Sequence, residues 1–231
     1  ARERNLTVDH AGFDIAMAAQ RERARGAKNF GDGYNQTIKL DAKTEFTGYQ
    51  QLSRQSKIIA LFQNGAAVDF IAEGAEGIVV LDSTPFYGES GGQAGDTGRI
   101  EVDGVVFEVS NTLKQGGDLF LHVGKVLSGS LKSGAVCNAV VEPSSRLASA
   151  LNHSATHLLH ATLRQVLGDH VTQKGSLVNT ERLRFDFSHF EPVKAEEIKI
   201  IERIVNQQIR HNTAVTADVM SKDDAVSAGA M

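Results

Sequence analysis

The residues best placed by type and spacing to do chemistry are His153 and His157, in the run His153-Ser154-Ala155-Thr156-His157. Two imidazoles four positions apart lie on one face of a helix, about one turn apart, and can hold one metal ion between them. A metalloprotease H-E-x-x-H run places a glutamate between its histidines as general base. Here the intervening residues are Ser154, Ala155 and Thr156, so a water activated at this site must give its proton to another group. The spacing alone leaves two readings open: half of a metal site, or a solvated helix face that is rich in histidine.

Two further stretches carry chemical potential. Tyr87-Gly-Glu-Ser-Gly-Gly-Gln93, followed by Gly95, Asp96 and Gly98, is glycine-rich. Gly91 and Gly92 let backbone approach a substrate closely and can turn N–H groups toward an anion. The spacing matches neither a P-loop nor a dinucleotide fingerprint, so a tight turn between strands is the competing reading. Val171-Thr-Gln-Lys-Gly-Ser-Leu177 lies where the chain turns back after Gly168. There Gln173 and Lys174 offer a hydrogen-bond donor and a positive charge to a phosphate or acyl group.

The element that must position the histidines is a helix starting at Pro143-Ser144 and stopping at Gly168. Leu147, Leu151, Ala155, Leu158, Leu159 and Val166 form its apolar stripe, which places His153, His157, His160 and Arg164 roughly on the opposite, polar side. Before it, residues 36–142 read as short strands. Asn64-Gly65 and Asp103-Gly104 each join two apolar runs as two-residue hairpins. Gly77-Ile-Val-Val-Leu81, Leu119-Phe-Leu-His-Val123 and Ala135-Val-Cys-Asn-Ala-Val-Val141 supply further strands, and short strands without intervening helices predict a small closed barrel. After the histidine helix come paired strands over Lys174–Val178 and Arg182–Phe187, a second amphipathic helix over Pro192–Arg210, a strand over Ala214–Met220 and a short helical piece over Lys222–Ala228. That order predicts an α/β two-layer sandwich and an α+β class for the whole. A first helix spans about residues 8–28 with Thr7 as N-cap, and residues 1–35 form a linker helix and its glycine-broken end. The expected units are therefore 1–35, 36–142 and 143–231.

Composition excludes several classes. No apolar run is long enough to span a bilayer, so no membrane partner is expected. The single cysteine, Cys137, cannot form an intrachain disulfide and suits a reducing cytosol. It reads as a small buried strand residue rather than a reactive one. A net charge of −4 argues against a bulk electrostatic grip on nucleic acid while leaving room for a local one. The chain opens at Ala1 and closes on Ala228-Gly229-Ala230-Met231, which reads as an internal piece of a longer protein.

Taken together, Asn152-His-Ser-Ala-Thr-His-Leu158, Gly168 to Leu177 and Leu183-Arg-Phe-Asp-Phe187 resemble the editing domain of the alanyl-tRNA synthetases. Thr84-Pro-Phe-Tyr-Gly-Glu-Ser-Gly-Gly-Gln93 with Gly95-Asp96-Thr97-Gly98 is similar to that family's barrel region. The histidine run also resembles, more distantly, threonyl-tRNA synthetase editing domains and free-standing editing hydrolases. The resemblance implies an enzyme that attaches alanine to tRNA(Ala) with ATP and Mg2+, in the cytoplasm. It also implies a region that hydrolyses tRNA mischarged with serine or glycine. It makes His153 and His157 two of four Zn2+ ligands, the others belonging to a C-x-x-x-H run that these residues do not contain. It places Thr156 and Gln173 near the mischarged amino acid as catalytic candidates. Gly91, Gly92, Gln93 and Lys174 become substrate-binding candidates at the tRNA acceptor end. The piece alone is then expected neither to charge tRNA nor to edit fully. The alternatives are a non-catalytic RNA-binding module with a degenerate metal site, or part of a free-standing editing hydrolase.

Overall fold

The structure is a computed structural model that describes residues 9–26, 38–216, 218 and 220–229. Its first element is α1 (His10–Gly26), where Asp9 accepts from the Gly12 N–H at 2.9 Å. The expected cap Thr7 and the linker after the helix lie outside the described residues.

Among the described residues eleven strands precede the histidine helix, the first ten being β1 (Glu45–Phe46), β2 (Ser53–Gln63), β3 (Ala66–Val68), β4 (Phe70–Ile71), β5 (Glu76–Leu81), β6 (Ser83–Thr84), β7 (Gly98–Val102), β8 (Val105–Gln115), β9 (Leu119–Ser128) and β10 (Leu131–Lys132). The eleventh, β11 (Val136–Val141), joins β7, β8, β9, β5 and β2 in a closed barrel of order β11-β7-β8-β9-β5-β2, shut by pairing of β11 with β2, while β1 pairs with β6 and β4 with β10 outside the ring. Both hairpin signals are realised. Asn64 and Gly65 turn with φ of 52° and 79°, and Asp103 and Gly104 with 45° and 84°. Positive φ at both central residues is the turn that matches strand twist.

Closure leaves no unpaired edge in the ring, and alternate side chains point inward. Ile58, Leu61, Leu81, Ile100, Phe107, Val126 and Ala139 fill the interior. Cys137 is buried among them, and burial pushes its thiol up to about 12, so it is unreactive. A second cluster, with Phe62, Ile78, Val80, Leu121 and Val123, lies on the outer side and is covered by Ile38 and Leu40. That is why β5 is apolar on both faces. His122 is fully buried in β9, with Nδ1–H donating to the Val79 carbonyl at 2.9 Å and Nε2 accepting from the Thr84 hydroxyl at 2.7 Å.

The second region consists of α2 (Pro143–Leu167), β12 (Gln173–Val178), β13 (Leu183–Phe187), α3 (Ala195–His211) and α4 (Lys222–Ser227). The β12–β13 hairpin and the two long helices meet around Leu163, Val171 and Ile201, with Phe185, Phe187 and Val205 packed against them. Barrel, hairpin and helices together make the fold α+β.

Two expectations fail here. Leu147 and Leu151 are 61% and 63% exposed, whereas Ser149, Thr156, Thr162 and Leu163 are the buried residues of α2. The helix is thus turned so that His153 and His160 share its inward side rather than opposing it. Only Leu159 and Val166 of the expected stripe pack against the core around Leu163, and the polar ties described below act with them on that rotation. The strand expected over Ala214–Met220 is also absent among the described residues there, and Val215 and Met220 are exposed. A strand needs a ladder partner, and among the described residues none lies alongside.

Candidate functional site

The glycine-rich run forms the connection from β6 to β7. Tyr87 N–H donates to the Asp96 carboxylate at 2.7 Å, and Asp96 N–H returns to the Tyr87 carbonyl at 2.9 Å. At its tip Ser90 and Gln93 exchange both backbone hydrogen bonds across Gly91 and Gly92, whose φ values are 60° and 87°. The outgoing strand of this turn lies along β12. Val178 N–H donates to the Gly92 carbonyl at 2.8 Å, and Ala94 N–H donates to the Val178 carbonyl at 2.9 Å. A Cβ on Gly92 would stand 2.3 Å from the Ser176 carbonyl oxygen, so backbone closeness as well as φ demands glycine.

This arrangement delivers Gln93 to the histidine helix. Gln93 is only 8% exposed, and its side-chain carbonyl accepts from His153 Nδ1–H. An amide oxygen can only accept, so the imidazole carries its proton on Nδ1 and presents a lone pair on Nε2. Burial first, and the neighbouring His157 second, hold the His153 pKa below its ordinary value. Its ring stacks on that of His157, with centroids 4.9 Å apart and planes 19° apart. His157 itself is exposed. Neutral imidazole with one nitrogen held by a neighbour is the form that binds metal or accepts a proton.

The other candidates are distributed less tightly. Thr156 is buried, and its hydroxyl donates to the Asn152 carbonyl at 2.8 Å. Asn152 in turn donates its side-chain N–H to the Asn179 carbonyl at 2.8 Å, tying α2 to the hairpin turn. Gln173 and Lys174 are exposed at the opposite end of β12 from Val178, where the register shifts between Gln173 and Gly175. Six residues of strand separate the two ends by about 16 Å. Among the described residues, neither Gln173 nor Lys174 hydrogen-bonds to the histidine helix.

A cleft of about 1170 Å³ lies between barrel and second region, lined by Gly92, Gly95, Ser110, Asn111, Ser149 and Ser176 among others. His153 and His157 do not line it. The glycine turn therefore has two sides, one toward this cleft and one, through Gln93, toward the histidines.

The tie that sequence reading missed is Arg146 with Asp96. The guanidinium Nε donates to both Asp96 carboxylate oxygens, at 3.0 and 2.9 Å, and the end nitrogens reach the Gly48 and Pro85 carbonyls at 2.7 and 2.8 Å. The Asp96 side chain is 4% exposed. A planar, five-donor fork is the side chain suited to this many acceptors. Arg146 lies in the first turn of α2, so it fixes that helix to the barrel loop. The available signal was an arginine just inside a helix start, downstream of an aspartate in a glycine run, and it does not specify pairing.

Among the described residues no three His, Cys, Asp or Glu side chains stand together as a metal group. The pair fits a metal as two nitrogen donors, short of a tetrahedral set.

Comparison with known proteins bears on the family of the chain. The chain is 62% identical over its full length to an alanine–tRNA ligase of Methylococcus capsulatus, 57% to one of Shewanella loihica and 55% to one of Pseudomonas fluorescens. It spans about 27% of the length of the first of these and 26% of the other two. Residues 1–145, which end just as α2 begins, match the family model of the tRNA synthetases class II (A). With well over half its length matched, the chain belongs to the class II (A) tRNA synthetases.

Proposed function

We propose that this chain is the barrel and histidine-helix region of an alanine–tRNA ligase, and that it serves removal of serine and glycine from mischarged tRNA(Ala). In this reading the whole enzyme joins alanine to tRNA(Ala) using ATP and Mg2+ in the cytoplasm. The units are a linker helix over 1–35, a barrel over 36–142 and part of an editing domain over 143–231. Identity of 62% across the chain supports the ligase assignment. The observation that carries the editing role is the hydrogen bond from His153 to Gln93, because it joins the two motifs that sequence separates by sixty positions.

The physical need for editing is general. A pocket shaped for a methyl side chain cannot exclude the smaller glycine and rejects an added hydroxyl only weakly. Within the site, Gln93 holds the His153 tautomer, and Gly91 and Gly92 let the loop backbone approach the acceptor end. Thr156 lies on the same inward face as His153, with oxygen lone pairs that can accept from a serine hydroxyl. His153 and His157 would hold a Zn2+ ion together with ligands from elsewhere in the longer protein. Such an ion, when bound, supplies Lewis-acid orientation of the tRNA end and of a water. The proton of that water must pass to a group other than a glutamate of the histidine run.

The test uses the intact ligase and Ser-tRNA(Ala). Gln93→Ala removes the partner that orients a metal-binding imidazole, and deacylation is expected to fall about 10- to 100-fold. His153→Ala is expected to fall further, with alanine attachment unchanged in both. Wild-type deacylation in both variants would refute the editing role.

A further inference from the structure

Where β12 begins and β13 ends, the second region carries a ladder of rings that the proposed hydrolysis does not use. His170 and His189 stack with centroids 5.1 Å apart and planes 17° apart, and share a 2.8 Å hydrogen bond between Nε2 and Nδ1. Phe190 stacks on His170 at 4.4 Å and 25°. Yet Phe190 is 87% exposed. The Ser188 hydroxyl donates to the His170 carbonyl at 3.2 Å and lies 2.8 Å from the Thr172 hydroxyl, which fastens the two segments that hold the rings.

The surroundings bear on what such a ring can bind. The ladder stands at the end of the hairpin that carries Gln173 and Lys174, since Gln173 pairs with Phe187 two positions before His189. The nearby carboxylates are compensated: Asp169 by Arg164 at 3.2 Å, Glu191 by Lys194 at 3.2 Å, and Asp186, across the hairpin from Gly175, by Arg184 at 3.1 Å. Lys174 is exposed at the register shift of β12. An open aromatic face propped from behind by imidazoles, with a cation one strand position from the hairpin end, suits a planar base joined to a phosphate. Unpaired nucleobases stack on phenylalanine and histidine rings in this way, without regard to sequence.

We infer that Phe190, backed by His170 and His189, is a stacking platform for an unpaired nucleobase at an RNA 3′ end, with Lys174 serving the adjoining phosphate. The inference rests on the reading of tRNA as substrate and assigns Phe190 a positioning role.

The chain contains no tryptophan, so Phe190→Trp introduces the sole indole. The full 231-residue chain with this change is titrated with a single-stranded RNA trinucleotide ending in adenosine, and in parallel with an abasic ribose-phosphate trimer. Saturable quenching by the RNA alone is expected. Phe190→Leu, which keeps an apolar side chain without the ring, should weaken trinucleotide binding about tenfold in equilibrium dialysis. Lys174→Gln should weaken it and flatten its salt dependence. Absence of quenching, equal quenching by the abasic trimer, or emission that changes with protein concentration alone would overturn the platform; the last result would mark contact with a second copy. Because no hydrolysis is read, quenching alongside intact Ser-tRNA(Ala) deacylation by His153→Ala would keep the platform while refuting the editing reading.

Discussion

The barrel and the histidine region use apolar surface in opposite ways. In the barrel, closure of six strands lets every inward side chain find a neighbour, and Ile58, Leu81, Ile100, Phe107 and Val126 are fully buried. In the second region the shared core reduces to Leu163, Val171 and Ile201 with their partly buried neighbours, while Leu147, Leu151, Ile198 and Ile209 remain open. The first region is held by burial. The second is held against the first largely by polar ties: Arg146 with Asp96, Gln93 with His153, and the backbone of the glycine turn along β12. Burial is non-directional, and hydrogen bonds are directional. A candidate site that depends on geometry therefore falls where the directional ties are.

The largest expected effect tests this division directly. Arg146→Ala leaves Asp96 charged and buried without its cation, with the Tyr87 N–H still on its carboxylate, which costs about 3–5 kcal/mol. Hydrogen exchange should show α2 and the β12–β13 hairpin opening first, with barrel strands still protected. Equal loss of protection in both regions would break the contrast.

Acid should do the reverse, weakening the barrel from inside. Burial lowers His122 to about 4 from an ordinary 6.5. Between those values the unfolded chain binds a proton that the native barrel refuses. Stability is therefore full above about pH 6.5 and declines as pH falls toward 4, by about 3 kcal/mol. Urea midpoints measured across that range should follow this curve, and a flat profile would remove His122 as the cause.

A smaller effect sharpens the role of the glycine turn. Gly92→Ala must adopt a φ of 87° and also meet the Ser176 carbonyl, for a cost of about 2–3 kcal/mol and a lifted loop. Gly91→Ala faces a positive φ in open space and should cost about 1 kcal/mol. Thermal unfolding of the two variants gives the ranking, and equal losses would mean that the loop does not depend on its seat against β12.

The smallest effect is expected where the helix stripe misled. Leu151→Gln on the exposed side of α2 should change stability by less than about 0.5 kcal/mol. A loss typical of a core leucine would restore the stripe as a buried face of this chain.

The strands, the two Gly-ended hairpins and the limits of α2 were legible because each rests on local chemistry. Asn64-Gly65 and Asp103-Gly104 tolerate positive φ, Pro143 fits a helix start, and Gly168 ends it with a φ of 116°. The facing of α2 was not legible, because a wheel ranks residues by polarity and cannot weigh a fork of hydrogen bonds from another region. The strand expected at Ala214–Met220 fails for a related reason: alternation describes a strand only when an edge is present to receive it.

The sequence by itself determined which residue types could ligate, turn and cap, since spacing along a helix or across a two-residue turn is set by backbone geometry within a few residues. Only the tertiary structure decided that Gln93 meets His153, that Asp96 receives Arg146, and that Gln173 and Lys174 stand at the far end of the hairpin. Those pairings join segments fifty to sixty residues apart or separate residues on one strand. They follow from how the closed barrel aims its loop at the next helix, and no local spacing encodes that aim.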